Sequence, residues 1–318
     1  MTTARAGSTL AARLPRTRAA GIALAFITAM VSGVAVFVNG YAVKAFGDAD
    51  VYTIAKNLVA AALLVGLAAV AARRGSSDRL TRPRTRRQWL GLAAVALVGG
   101  SVPFLLFFEG LARASSVQAA FIHKTLVVWV ALLAVPLLSE RIGPAHLAAI
   151  ALLVWGQAVL GGGVGGVRPG LGEAMILAAT LLWAVEVIVA KRLLTDLASP
   201  TVGLARMGLG VLVLVGWLAV SGQAGALVGL GGRQWAWALA TGAILSVYVA
   251  TWYAALARAP AVDVTAVLVV GAVVTALLDA AVNGKALAPQ GLGLVLVTAG
   301  GLLIVAARRL RAGRPAAG

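Results

Sequence analysis

The sequence predicts an all-α integral membrane protein, with ten transmembrane helices arranged as two inverted five-helix repeats. Three observations lead there: a composition too apolar for water, ten apolar runs of membrane-spanning length, and a register that repeats half-way along the chain. Of the 318 residues, 61% are hydrophobic and 12% are charged. Soluble proteins carry roughly 25% charged residues, so this chain has too little charge to coat a water-facing surface. Each membrane helix takes about 20 residues, which leaves no room for a large soluble domain.

The runs lie at about 19–40, 51–72, 88–112, 115–138, 143–162, 170–191, 200–220, 234–257, 261–283 and 289–307. They are apolar on all faces, as expected of helices surrounded by lipid and other helices, and do not alternate as barrel strands do. The first run follows Arg5, Arg13, Arg16 and Arg18 in the manner of a signal peptide. It continues apolar from Ala19 to Val38, beyond the usual h-region, and no clear cleavage site follows. We read it as a span. Residues 1–18 and 308–318 are then basic tails, and 19–162 and 170–307 are the two repeats.

The net charge of +17 reports orientation. With the N-terminus in the cytoplasm, the inside collects Arg5, Arg13, Arg16, Arg18, Arg73, Arg74, Arg79, Arg82, Arg84, Arg86, Arg87, Arg141, Lys191, Arg192, Arg258, Arg308, Arg309, Arg311 and Arg314. The outside keeps Lys44, Arg113, Arg168, Arg233 and Lys285. This split follows the positive-inside rule and places a multi-pass protein in the plasma membrane with both termini cytoplasmic. The basic excess suits anionic lipid rather than nucleic acid. The chain has no cysteine, which excludes disulfides, thiolate nucleophiles and zinc-thiolate sites. Two histidines 23 residues apart make no metal site, and no phosphate loop or nucleophile elbow is present. No cofactor and no enzymatic activity are expected.

A shift of 145 positions aligns Leu111-Ala112-Arg113-Ala114 with Leu256-Ala257-Arg258-Ala259. It also aligns Pro144 with Pro289 and Gly156 with Gly301. Each half holds five runs, an odd number, so the second half enters the membrane upside down. The charge map agrees, with Arg113 outside and its counterpart Arg258 inside. Inverted repeats are the architecture of many secondary transporters, with the substrate between the halves.

Several segments are similar to the EamA family of the drug/metabolite transporter superfamily. They are Ser32-Gly33 through Asn39 with Lys44, Ala55-Lys56-Asn57-Leu58, and Val102-Pro103-Phe104 through Phe121-Ile122-His123-Lys124-Thr125. Pro136 to Glu140-Arg141, Trp183-Ala184-Val185-Glu186 and Ala205-Arg206-Met207 complete the set. The resemblance covers about residues 20–307 and implies two five-helix repeats, cytoplasmic termini and export of small molecules. The second repeat departs from the pattern at Gly284-Lys285-Ala286, where the first has Ser139-Glu140-Arg141.

Ionisable groups inside spans mark candidate binding or coupling residues, because each costs about 2.5–3.5 kcal/mol at mid-membrane. Lys124 lies deepest, and is either a substrate or counter-ion lysine in a central cavity or the partner of a buried pair with Glu109 or Glu186. Lys56 and Arg206 are shallower, and Thr53, Lys56 and Asn57 share one helix face by their spacing. Glu186 with Trp183 suits a cation or a proton. Glu109 sits close enough to a span end to be interfacial. His123 is either a proton shuttle or a packing residue, and Asn39 completes the set. His146 reads as interfacial, and Asp263 and Asp279 as coupling residues near the ends of one span.

The function expected is a secondary transporter, an exporter of small organic metabolites of amino-acid or drug-like kind, working by alternating access. A membrane-embedded enzyme acting on lipid and a non-transporting scaffold are the alternatives. Partners on this reading are the small-molecule substrate and the lipid bilayer, with a homodimer open and nucleic acid excluded.

Overall fold

A computed structural model describes residues 17–73, 80–114, 116–160, 170–284, 293, 295–300 and 303. Helix α1 (Arg18–Phe46) starts on Thr17, whose hydroxyl accepts a hydrogen bond from the Ala20 amide, and stops at Gly47 in the left-handed region at φ 74°. After α2 (Ala49–Arg73), a Thr85/Gln88 capping box starts α3 (Arg86–Gly100). Then come α4 (Val102–Arg113), α5 (Ser116–Lys124), α6 (Leu126–Leu138) and α7 (Pro144–Leu160). The second half holds α8 (Leu171–Leu193), α9 (Ser199–Val220), α10 (Gly232–Leu256), α11 (Ala261–Leu268) and α12 (Gly271–Asn283).

Among the described residues, 8 helical stretches are long and apolar enough to cross a membrane: 18–46, 49–73, 86–113, 121–138, 171–193, 199–220, 232–256 and 261–283. Leu132, Leu147, Trp155 and Leu212 are among the large apolar side chains left exposed on the bundle, as a lipid-facing wall requires. The run at 143–162 yields α7, 17 residues long, with 161–162 outside the described residues. Most of the run at 289–307 also lies outside them.

Three of the predicted spans are broken. Pro103 has no amide hydrogen to give the Gly99 carbonyl, so the ladder fails between α3 and α4, and the Ser101 hydroxyl bonds back to Ala96 and Leu97. The other two breaks, at Thr125 and at Val269-Val270, occur at equivalent positions under the 145-residue shift. Each is a short stretch of i to i−3 bonding: Thr125 to Ile122 and Val128 to Thr125 in one half, Val270 to Val267 and Val273 to Val270 in the other.

Contacts at the helix ends give the direction of each helix. Arg18 meets Asp263 at the start of α11, and the Arg192 side chain, at the end of α8, donates to the Leu137 carbonyl at the end of α6. At the opposite end, the Tyr41 hydroxyl donates to Asn283 and the Trp217 indole to Asp50. The first helix of the first half and the first helix of the second therefore run in opposite directions. Contacts between the halves are reciprocal: α1 packs on α10 while α3 and α4 pack on α8, and α2 packs on α10 while α3 packs on α9.

Candidate functional site

A cavity of about 120 Å3 lies at the meeting of these contacts. Both halves line it, including Asn39, Lys56 and His123 from the first and Trp183, Glu186 and Arg206 from the second. Its aromatic wall follows from the broken third span. Phe104, Phe107 and Phe108 share one face of α4 by i, i+3, i+4 spacing. The Trp183 indole donates to the Gly99 carbonyl at 3.1 Å, supplying the hydrogen bond that Pro103 cannot. The Trp183 ring packs edge-on to Phe104 and His123, with centroids 5.5 and 5.0 Å away.

The charges sit on this wall. Lys56 is 2% exposed, and its ammonium stands 4.0 Å from the centre of Phe108, 4.9 Å from Tyr52 and 5.3 Å from Phe104. Rings at these distances attract a cation that has lost its water. The Arg206 guanidinium packs against the same Phe104 ring at 5.4 Å, and its Nε and Nη1 have no hydrogen-bond partner among the described residues. Glu186 accepts a 2.5 Å hydrogen bond from the Tyr253 hydroxyl. With both cations and this carboxylate ionised, the lining carries one excess positive charge. Tyr52 donates to Asn39, tying α2 to α1 beside the cavity.

Helix α3 comes this close to α8 and α9 because Gly99 and Gly100 face them. A Cβ on Gly100 would fall far inside van der Waals contact distance of the Arg206 carbonyl oxygen, and one on Gly99 would overlap the Glu186 side chain. Gly100→Ala is expected to destabilise the protein by about 1–3 kcal/mol through overpacking. A lowered melting temperature at unchanged helix content checks it.

Other candidates lie elsewhere. Lys124 is buried but does not line the cavity, and its ammonium has no hydrogen-bond or ion-pair partner among the described residues. It does not pair with Glu186, and Glu109 pairs with Arg113 one turn away on the same helix. The reason is rotation. His123 and Leu126 face inward at i and i+3, and each residue turns a helix by about 100°, which carries Lys124 off that face. Asn57, next to Lys56, is likewise buried outside the lining and donates to the Thr53 carbonyl. Asp279 is at the far end of α12, bonded to Asn283.

Sequence reasoning passed over Tyr52, Tyr248, Tyr253, Thr241 and Trp252. A signal existed: the chain has only four tyrosines, and three of them line the cavity or bond to residues that do.

A second polar cluster lies at the end that carries Arg18. All eight residues of α11 are buried there. The Glu140 carboxylate accepts from the first two amides of α11, Ala261 at 2.6 Å and Val262 at 3.1 Å, where the helix dipole favours an anion. Asp263 pairs with Arg18 at 2.6 Å and meets His146 Nε2 at 3.2 Å. His146, expected at the interface, is buried. Lys191 donates to the Leu256 and Ala259 carbonyls at the end of α10.

These features define a multi-pass helical membrane protein whose two halves line a charged, aromatic-walled site. The EamA-like transporter family matches residues 19–162 and 170–306, so the chain carries two copies of its repeat and belongs to that family. A search of curated protein sequences finds no match. A crystal structure of another protein, 18% identical, has the same fold with a TM-score of 0.71, over 91% of this chain and 99% of that one. Membership of a transporter family supports a transport role.

Proposed function

We propose that the protein is a secondary transporter that exports small organic metabolites, of amino-acid or drug-like kind, across the plasma membrane by alternating access. One observation carries the reading: the cavity draws on both halves and presents Lys56 and Arg206 against a single carboxylate, Glu186, already engaged by Tyr253. A buried-walled site with one excess positive charge favours a substrate bearing a carboxylate. The aromatic wall suits an apolar body on that substrate.

Alternating access needs a seal that can open, and the α11 cluster supplies one. Helix α11 belongs to the second half, whereas Arg18, Glu140 and His146 belong to the first, so these bonds break if the halves rock apart at that end. The opposite directions of α1 and α8 support an inverted repeat, and the basic residues at the Arg18 end support placing it in the cytoplasm. The test of transport is flux in proteoliposomes, using substrates chosen by comparing metabolite release from cells with and without the protein. No protein-dependent flux across such a panel overturns the reading.

Orientation is checked separately. The protein has no native cysteine, so single introduced cysteines report without background. In intact cells, an impermeant maleimide is expected to label Gln223→Cys, on the exposed turn after α9, and to spare Arg84→Cys, exposed just before α3. The reverse pattern inverts the topology.

A further inference from the structure

Away from the cavity and the α11 cluster, two recesses of opposite character lie side by side at the basic end. One is an apolar groove of about 640 Å3 between α2, α9 and α10. Ala68 and Ala71 of α2 and Gly203 of α9 leave its floor low, and Leu67, Leu80 and Leu204 form its sides. The other is a polar recess of about 350 Å3, lined by Thr81, Arg82, Arg84, Gln88 and Asp196 among others.

A strap of residues 80–84 runs between them. Leu80 lines the groove and Thr81 the recess; across from the strap, Leu197 lines the recess and Ser199 the groove. Thr81 fixes the strap in place. Its amide donates to the Thr201 hydroxyl at 2.8 Å, its own hydroxyl accepts from the Ala198 amide at 3.2 Å, and Thr201 donates back to the Thr81 carbonyl at 3.3 Å.

Arg82 and Arg84 are exposed, and neither guanidinium makes a hydrogen bond or ion pair among the described residues. They outnumber Asp196, the one acid among the described residues of the lining, and Arg73, Arg86 and Arg87 stand exposed on the neighbouring helix ends. The apolar part faces the bilayer and the basic part lies where headgroups lie. We propose that the two adjacent recesses bind one anionic phospholipid that crosses the strap, its acyl chain in the groove and its phosphate on Arg82 and Arg84. Charge complementarity selects the headgroup, and the apolar groove on the other side of the strap selects a lipid over a free anion. The site is independent of the substrate cavity.

The test uses the purified full-length protein in phosphatidylcholine nanodiscs, titrated with phosphatidylglycerol or with phosphatidylcholine of the same acyl chains. Phosphatidylglycerol is expected to raise the melting temperature by several degrees and to be retained in native mass spectra, and phosphatidylcholine to do neither. The double variant Arg82→Gln, Arg84→Gln should lose the selective shift while melting normally in phosphatidylcholine. Ala68→Phe, which places a ring in the groove, should weaken retention with the arginines intact. An equal shift with phosphatidylcholine, a full shift in the double variant, or the same shift with inorganic phosphate alone overturns the proposal.

Discussion

Replacing Arg206 with glutamine should lower substrate flux per folded molecule by at least about tenfold. Hydrogen bonds to charged groups contribute about 1.5–3 kcal/mol, and every 1.4 kcal/mol is about a factor of ten. Arg206 presents two buried N–H groups that have no hydrogen-bond partner among the described residues, beside a ring that it shares with Lys56. An anionic substrate would satisfy them, and glutamine keeps polarity without the charge. Arg206→Lys, which retains charge but loses the planar fork, should keep part of the flux. Lys124→Met is the informative contrast: it removes a buried charge outside the lining and should leave flux within about twofold, since nothing bound in the cavity would touch it. Fluorescence size-exclusion profiles normalise each variant to folded protein. Full flux in Arg206→Gln, or a collapse in Lys124→Met, would reverse the assignment.

Asp263→Asn should open the basic end. The carboxylate, 2% exposed on its side chain, pairs with Arg18 and meets buried His146. Losing that charge weakens the sealed state by about 1.5–3 kcal/mol on the same scale of charged hydrogen bonds. The reporter is Val267→Cys, at a fully buried position of α11. In inside-out vesicles, its maleimide labelling should accelerate about tenfold or more when Asp263→Asn is added. Arg18→Gln should do much less, because Arg18 is 51% exposed and solvated ion pairs are worth about 0–1 kcal/mol. Unchanged labelling in a variant that melts normally would remove the cluster from the seal. No substrate is needed, so the result stands apart from the flux experiment.

Much of the fold was legible in the sequence because it depends on composition over about 20 residues. A run that cannot dissolve in water becomes a membrane helix whatever its neighbours, and the arginines at its ends report which ends lie together. The repeat was legible for a different reason: Leu-Ala-Arg-Ala, Pro144 and Gly156 recur in one register. The broken third span was half legible, since Pro103 announces a missing amide but not that Trp183 supplies the replacement donor.

The identity of the site residues was less legible. Lys56, His123, Trp183, Glu186, Arg206 and Asn39 do meet around one cavity, because a polar group in a span must find protein or water. Which polar residues face each other was not readable. A helix that is apolar on every face carries no stripe to say which side is inward, and one position shifts a side chain by about 100°. That rotation separates Lys124 from His123 and Asn57 from Lys56. It also gives Glu186 to Tyr253 rather than to Lys124. Composition determined the membrane class, and residues recurring in one register marked the repeat. Only tertiary packing, set by Gly99-Gly100 against α8 and α9 and by the breaks at Ser101 and Thr125, decided which side chains share the cavity. Contacts between helices distant in sequence are fixed by shape, and shape is not written in any one run.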